Sequence, residues 1–235
     1  MRTGCQGRAA RGGLPQGRRL PPPPAFPPWR TAYGHMRAFL RDGVRESIRH
    51  HLAVMLRESA GREASPAAAI TDPQSVRATE SGGPRGWDAA ERLEGRKRPV
   101  AVDTDGPRLS VVVHAADIQG ADGLGDLLKR VKPLHAWLRA VFADSTHNRL
   151  AALLAGCLAG LALIAVRRAA GSTGFVVRPR RWAVERSLGW FGRWRRLSKD
   201  YEGPLEAAET MVTLAAIRLM LHRLARPNRR RLPAP

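Results

Sequence analysis

Val100-Ala101-Val102-Asp103-Thr104-Asp105-Gly106-Pro107-Arg108-Leu109-Ser110-Val111-Val112-Val113 is the stretch on which the fold turns. Small and β-branched apolar residues flank an Asp105-Gly106-Pro107 turn, the pattern of an antiparallel hairpin. Upstream, Ala67-Ala68-Ala69-Ile70-Thr71 is a short apolar run ending at Asp72-Pro73, where proline opposes continuation. Residues 77–96 are polar and glycine-rich, and Gly95-Arg96-Lys97-Arg98 leads into the hairpin. Downstream, Gly123 to Leu138 reads as a helix with Leu124, Leu127-Leu128, Val131, Leu134 and Leu138 facing inward and Pro133 bending or breaking it. Ala140-Val141-Phe142-Ala143 is a further buried strand, stopping at Asp144. Strands alternating with helices predict a mixed α/β sheet with helices on its faces.

Leu150–Val166 is seventeen consecutive apolar residues between Arg149 and Arg167-Arg168, with Gly156 and Gly160 in GxxxG spacing. A membrane span would sit at the short end of the spanning range. Arginine on both flanks supplies no orientation bias, and no second span follows. The favoured reading is a buried helix, Leu150–Leu158, broken at Gly160 before a central strand, Leu161–Val166. A basic helix around 179–200, an apolar helix from Leu205 to Leu224 and a basic tail at 226–235 complete the order.

Residues 1–25, arginine-rich and ending in Pro21–Pro24, predict a disordered basic arm. A helical N-terminal element is expected at 26–62. Its first helix starts near Thr31 as N-cap, with Tyr33, Met36, Phe39 and Leu40 at helical spacing. The second places Val44, Ile48, Leu52 and Met55-Leu56 on one face and stops near Gly61. The main domain is then 66–225.

A net charge of +20, from 40 Lys/Arg against 20 Asp/Glu, points to a polyanionic partner. Arginine bias from a GC-rich genome accounts for part of this excess but not for its clustering. Cys5 and Cys157 make no disulfide framework and no cysteine-rich zinc site. With no apolar signal segment at the N-terminus, an intracellular compartment is the expectation.

Asp72 and Asp144 each follow an apolar strand run, and in neighbouring strands they would project into one crevice of the sheet. Glu185 stands in the basic run Arg180-Arg181-Trp182-Ala183-Val184-Glu185-Arg186, with Arg181 and Arg193 on its helical face. Hard carboxylate oxygens suit Mg²⁺, and two such ions about 4 Å apart serve in-line phosphoryl transfer. The plainer alternative is a turn aspartate after each strand and a Glu185–Arg181 ion pair. Asp103, Asp105, Asp117 and His114 are further candidates, read as turn, cap or structural residues. Trp182, Trp190 and Trp194 are read either as core packing or as stacking surfaces for splayed bases.

At these residues the chain resembles the DDE transposases of bacterial insertion sequences, of the insertion-sequence-five type. The resemblance runs from Pro27 to about Leu224. It rests on Pro-Pro-Trp-Arg-Thr-Ala-Tyr-Gly (27–34), Ile-Thr-Asp-Pro-Gln-Ser-Val (70–76), Glu-Ser-Gly-Gly-Pro-Arg-Gly-Trp-Asp (80–88) and Gly-Arg-Lys-Arg (95–98). Val-Val-Val-His-Ala-Ala-Asp-Ile-Gln (111–119), Phe-Ala-Asp (142–144), Arg-Arg-Trp-Ala-Val-Glu-Arg (180–186) and Arg-Arg-Leu-Ser-Lys-Asp-Tyr-Glu (195–202) complete it.

The resemblance implies an RNase H-like fold and a metal-dependent nuclease and strand-transfer centre at Asp72, Asp144 and Glu185. Mg²⁺, two ions, is the implied cofactor, with Mn²⁺ as a substitute. Arg181, Arg193, Arg96, Lys97 and Arg98 are the expected DNA contacts. The implied partner is double-stranded DNA, as transposon ends and target, bound by a homo-oligomer in the bacterial cytoplasm at the nucleoid, with no membrane association. Cleavage at the transposon end would free a 3′-OH that attacks target DNA. The chain departs from the family pattern in Ser145-Thr146-His147 after the second aspartate and in Pro99, where a histidine is common. Family members begin several tens of residues earlier. The chain therefore reads as N-terminally truncated, and a remnant that binds DNA without cutting it is the rival expectation.

Overall fold

The computed structural model describes residues 27–118, 120–144, 160–166 and 182–226. Clustering of contacts divides the chain into two units, Met1–Arg45 and Glu46–Pro235. In the first, helix α1 (Trp29–Arg41) starts after Pro28, whose carbonyl accepts the N–H of Thr31 at 2.9 Å and of Ala32 at 3.3 Å. Thr31 therefore lies inside the first turn and is not the cap. Gly43, at φ +68°, ends the helix in the left-handed conformation that glycine adopts at least cost.

Helix α2 (Val44–Ser59) closes with a Schellman arrangement. The Arg62 N–H reaches the Arg57 carbonyl and the N–H of Gly61, at φ +70°, reaches Glu58. The expected apolar face is displaced. Ile48 and Met55 are exposed, and the buried side chains are Arg49, Leu52, Ala53 and Arg57. Arginine can line a buried face when its charge and donors are matched. Arg49 donates to Glu46 at 2.7 Å and to the Arg108 carbonyl at 3.0 Å, while Arg57 pairs with Asp103 and donates to the Glu63 carbonyl. Arg108, itself buried, donates to Thr213 at 2.9 Å and Glu46 at 3.3 Å. Among the described residues Arg49, Arg57, Arg96, Arg98 and Arg108 are thus internal.

The sheet contains β1 (Ala68–Arg77), β2 (Gly86–Asp88), β3 (Leu93–Asp103), β4 (Arg108–Val111), β5 (His114–Ala115), β6 (Ala140–Asp144) and β7 (Ala162–Val166). Its order is β2-β3-β1-β6-β7, with β4 and β5 also paired to β3. β1, β3 and β4 are antiparallel, and β6 and β7 continue from β1 in parallel. An antiparallel meander extended by two parallel strands is the RNase H-like arrangement expected from the sequence.

Two expectations for the strands are corrected. β1 does not stop at Asp72, because it continues through Pro73 to Arg77 along β3, with Pro73 opposite Pro99. Two facing prolines leave no donor stranded between the strands if they form a non-hydrogen-bonded pair. β7 is the outermost strand and is only partly buried, so it is not central. The hairpin reading holds: Gly106, at φ +92°, donates to the Asp103 carbonyl at 2.8 Å and turns β3 into β4.

One face of the sheet carries Ile70, Val100, Val102, Val111 and Phe142 against α2, helix α4 (Trp182–Gly192) and helix α5 (Leu205–Ala225). The other carries Ala69, Ala101, Leu109 and Val141 against helix α3 (Gly120–Val131). Pro133 ends α3 as expected, and a 3₁₀ turn occupies Lys132–Leu134. The proposed helix at 150–158 lies outside the described residues. Among the described residues no helix is long and apolar enough to cross a membrane, and the end of the seventeen-residue apolar run is strand β7.

His135 is 2% exposed, and both of its ring nitrogens lack a hydrogen-bond partner. Burial first, then Arg49, His50 and Arg57, pushes its pKa down to about 4. Below pH 6.5 the unfolded chain takes up a proton that the folded chain refuses until about pH 4. Stability should therefore fall by about 3 kcal/mol as pH drops across that window. His135→Phe is expected to flatten this part of the pH profile. Urea unfolding at several pH values checks it, and an unchanged slope in the variant would refute it.

Candidate functional site

The pairing of β1 with β6 ends at Ile70 opposite Phe142. Asp72 and Asp144 each follow by two residues, and Asp144 is the last residue of β6. Neighbouring strands lie about 4.8 Å apart, so Asp144 occupies the register position beside Asp72, where the two strands part company. Asp72 is half-buried and has the strand parity of Ile70, which packs beneath α4. The side chain of Asp144 lies outside the described residues.

Glu185 comes from the helix that crosses this face. Ala183, Val184, Ser187 and Phe191 are the buried residues of α4, and Ala183, Val184 and Phe191 share a cluster with Ile70, Val100 and Phe142. The Ser187 hydroxyl is 2.9 Å from the Gly106 carbonyl, and Arg186 donates to the Asp105 carbonyl at 2.8 Å. Helix α4 is thereby fastened to the β3–β4 turn. Glu185, in its first turn, is exposed beside buried Val184. A carboxylate is favoured there by the positive end of the helix dipole.

Carboxylates at these three positions, on a central strand, its parallel neighbour and the covering helix, would offer hard oxygens of the kind that Mg²⁺ or Mn²⁺ takes. Among the described residues no three His, Cys, Asp or Glu side chains are clustered to hold a metal. Asp103 is no alternative ligand: it is buried with Arg57 and lies three residues along β3 from Val100, the partner of Asp72. Asp105 pairs with Arg62 at the hairpin turn. The imidazole Nδ1 of buried His114 lies 2.8 Å from the Ala115 carbonyl.

The basic residues divide sharply. Arg96 and Arg98, expected to touch DNA, are 0% and 2% exposed and are corrected to structural residues. Both pair with buried Asp200 at 3.2 Å. Arg96 also donates to the carbonyls of Pro84 at 2.8 Å, Glu202 at 2.7 Å and Gly203 at 2.5 Å. Arg98 donates to Leu197 at 2.9 Å. These residues sit inside β3 because the strand begins at Leu93, earlier than the polar run suggested.

Lys97 points the other way but is engaged as well, 3.2 Å from Asp88. Burial alone would raise the Asp88 carboxyl; the Ser75 hydroxyl, Lys97 and the Glu91 N–H together hold it below the usual range. Arg193 is exposed just beyond α4, as a phosphate contact requires. Arg181 lies outside the described residues.

Sequence reasoning left Trp190 and Trp194 between core packing and base stacking. Trp194 packs against the buried core, and both rings carry guanidinium groups. Arg186 and Arg223 lie 4.8 and 4.5 Å from the Trp190 centroid, and Arg218 lies 4.9 Å from that of Trp194. The i, i+4 spacing of Arg186 and Trp190 was the available signal. The contribution of α5 was not legible before the helices were packed.

Among solved structures, the crystal structure of the catalytic core domain of BIV integrase is similar at a TM-score of 0.41. The two share 13% identity over 68% of this chain and 96% of that one. No curated protein matches the chain. The profile of the family described as "Transposase DDE domain" matches residues 63–220, from the end of α2 to the last turns of α5. The chain belongs to the family of transposases with a DDE domain.

Proposed function

We propose that this chain is an insertion-sequence transposase that cuts and joins DNA at a centre made by Asp72, Asp144 and Glu185. The observation that carries the reading is the shared register of Asp72 and Asp144 at the point where β1 and β6 separate, beneath the helix bearing Glu185. The three carboxylates would hold two Mg²⁺, or Mn²⁺ in its place. A divalent cation so held supplies stabilisation of charge on phosphoryl oxygens and lowers the pKa of water.

The chain's own residues do the positioning. β1 fixes Asp72 by pairing on both sides up to Ile70 and along β3 beyond it. The buried face of α4 and its ties to the β3–β4 turn fix Glu185. Exposed Arg193, with Arg181 before the helix, would bind phosphates flanking the scissile bond. Double-stranded DNA is the substrate class, an insertion-sequence-five type element the source, and a homo-oligomer the form that brings two ends together.

The full chain is expected to nick duplex DNA in Mg²⁺ or Mn²⁺ and to leave it intact in EDTA. A chain that binds duplex in a salt-sensitive way but cuts it in neither metal would favour a binding-only remnant and overturn the catalytic reading.

A further inference from the structure

The seam where α4 and α5 meet, beside the β3–β4 turn, has a composition the catalytic centre does not use. Trp190 and Arg223 meet across it, and Trp194 and Arg218 meet beyond the end of α4. The buried faces of the two helices, through Val184 and Phe191 on α4 and Val212, Ala216 and Met220 on α5, border the seam, and Trp194 packs against the same cluster. Exposed charge over residues 182–226 is lopsided: Arg193, Arg195, Lys199, Arg218 and Arg226 stand against Glu185 and Glu206. The other acids of this region are drawn inward. Asp200 is buried with Arg96 and Arg98, Glu209 is buried and paired with Arg130, and Glu202 is paired with Arg196.

We propose that this seam is a phosphate-binding track for the backbone of duplex DNA, continuing from the α4 end of the catalytic face. The inference rests on the DNA-cutting reading above and adds to it a surface outside the carboxylate centre.

Two physical points support the track. Stacking on an indole uses the flat face of a guanidinium, whereas its N–H donors lie in the plane and remain directed outward for anions. Arg218 is exposed while its guanidinium is held against Trp194, so the side chain surrenders less rotamer entropy on binding than a loose arginine would. The contacts are to backbone, so the track positions DNA without reading its sequence.

The test is equilibrium binding of the full chain to a fluorescent duplex of about thirty base pairs in EDTA, across a salt series, followed by cleavage in Mg²⁺. Arg218→Ala is expected to weaken binding several-fold and to reduce the slope of log affinity against log salt by roughly 1. Arg218→Ala combined with Arg223→Ala is expected to reduce it by roughly 2. Arg218→Lys should keep the slope of the parent chain. Tryptophan emission should change on DNA addition in the parent and less in the double variant.

Unchanged affinity and slope in Arg218→Ala would overturn the track while leaving Mg²⁺-dependent cutting intact, so the two readings fail separately. Arg218 is exposed, so the single variant suffices if loss of Arg223 unfolds the chain. Flotation with anionic vesicles at low salt, without binding to duplex, would also overturn the proposal and make the seam a membrane surface.

Discussion

Asp72→Asn is expected to lower Mg²⁺-dependent strand cleavage by on the order of 10³-fold or more, about 4 kcal/mol in the barrier. The substitution keeps the shape of the side chain and removes its charge. The hard anionic oxygen that suits Mg²⁺ is lost, while the β1 ladder is undisturbed because its bonds to β3 are backbone bonds. Duplex binding in EDTA should stay within about two-fold, since phosphate contacts supply that affinity. Asp144→Asn and Glu185→Gln should behave alike if the three act as one donor set, with little further loss on combining them. Undiminished cutting by Asp72→Asn would remove Asp72 from the centre.

Asp200→Asn is expected to cost about 3–5 kcal/mol of stability, because it leaves the guanidinium groups of Arg96 and Arg98 buried without their anion. At about 2–4 °C per kcal/mol for a chain of this size, the melting temperature should fall by roughly 6–20 °C. Burial already pushes the Arg98 pKa down, and Asp200 is the nearest charge opposing it. The amide can still accept the Glu202 N–H, which bonds to Asp200 at 3.1 Å in the parent chain, so the loss is electrostatic rather than steric. A thermal melt within about 2 °C of the parent would show that the backbone carbonyls around Arg96 suffice without the carboxylate.

The clamp has a consequence for the site. Asp200 ties the α4–α5 connection to β3 through its side chain and to β1 through its own N–H, which reaches the Arg77 carbonyl at 2.7 Å. Glu185 depends on where α4 sits, and the clamp sets where the chain emerging from α4 returns to the sheet. Arginine in Gly95-Arg96-Lys97-Arg98 thus contributes to the centre through architecture. The sequence reading assigned it to DNA because a run of cations looks the same whether its strand is buried or exposed.

The hairpin at 100–113, strand β6, helix α3 with its proline stop and helix α5 were all legible from local chemistry. Each is announced by apolar periodicity bounded by a turn or proline, and periodicity is a property of neighbours along the chain. The face of α2 was not legible. Its buried positions include Arg49 and Arg57, whose compensation comes from Glu46 on the same helix but also from the Arg108 carbonyl and Asp103, far along the sequence. The length of β1 was hidden for a similar reason, since the ladder that carries it past Pro73 to Arg77 is made with β3, distant in the sequence.

By itself the sequence determined the class of fold, the family and the order of the main described elements, because strand runs, turn residues and family motifs are written locally. Only the tertiary structure decided which cations face solvent. It buried Arg49, Arg96 and Arg98 against distant acids and carbonyls, and it set Arg223 on a tryptophan of α4 and Arg218 on one just beyond it. A charge acquires its role from the dielectric and the partners around it, and those are assembled by contacts between residues remote in the chain.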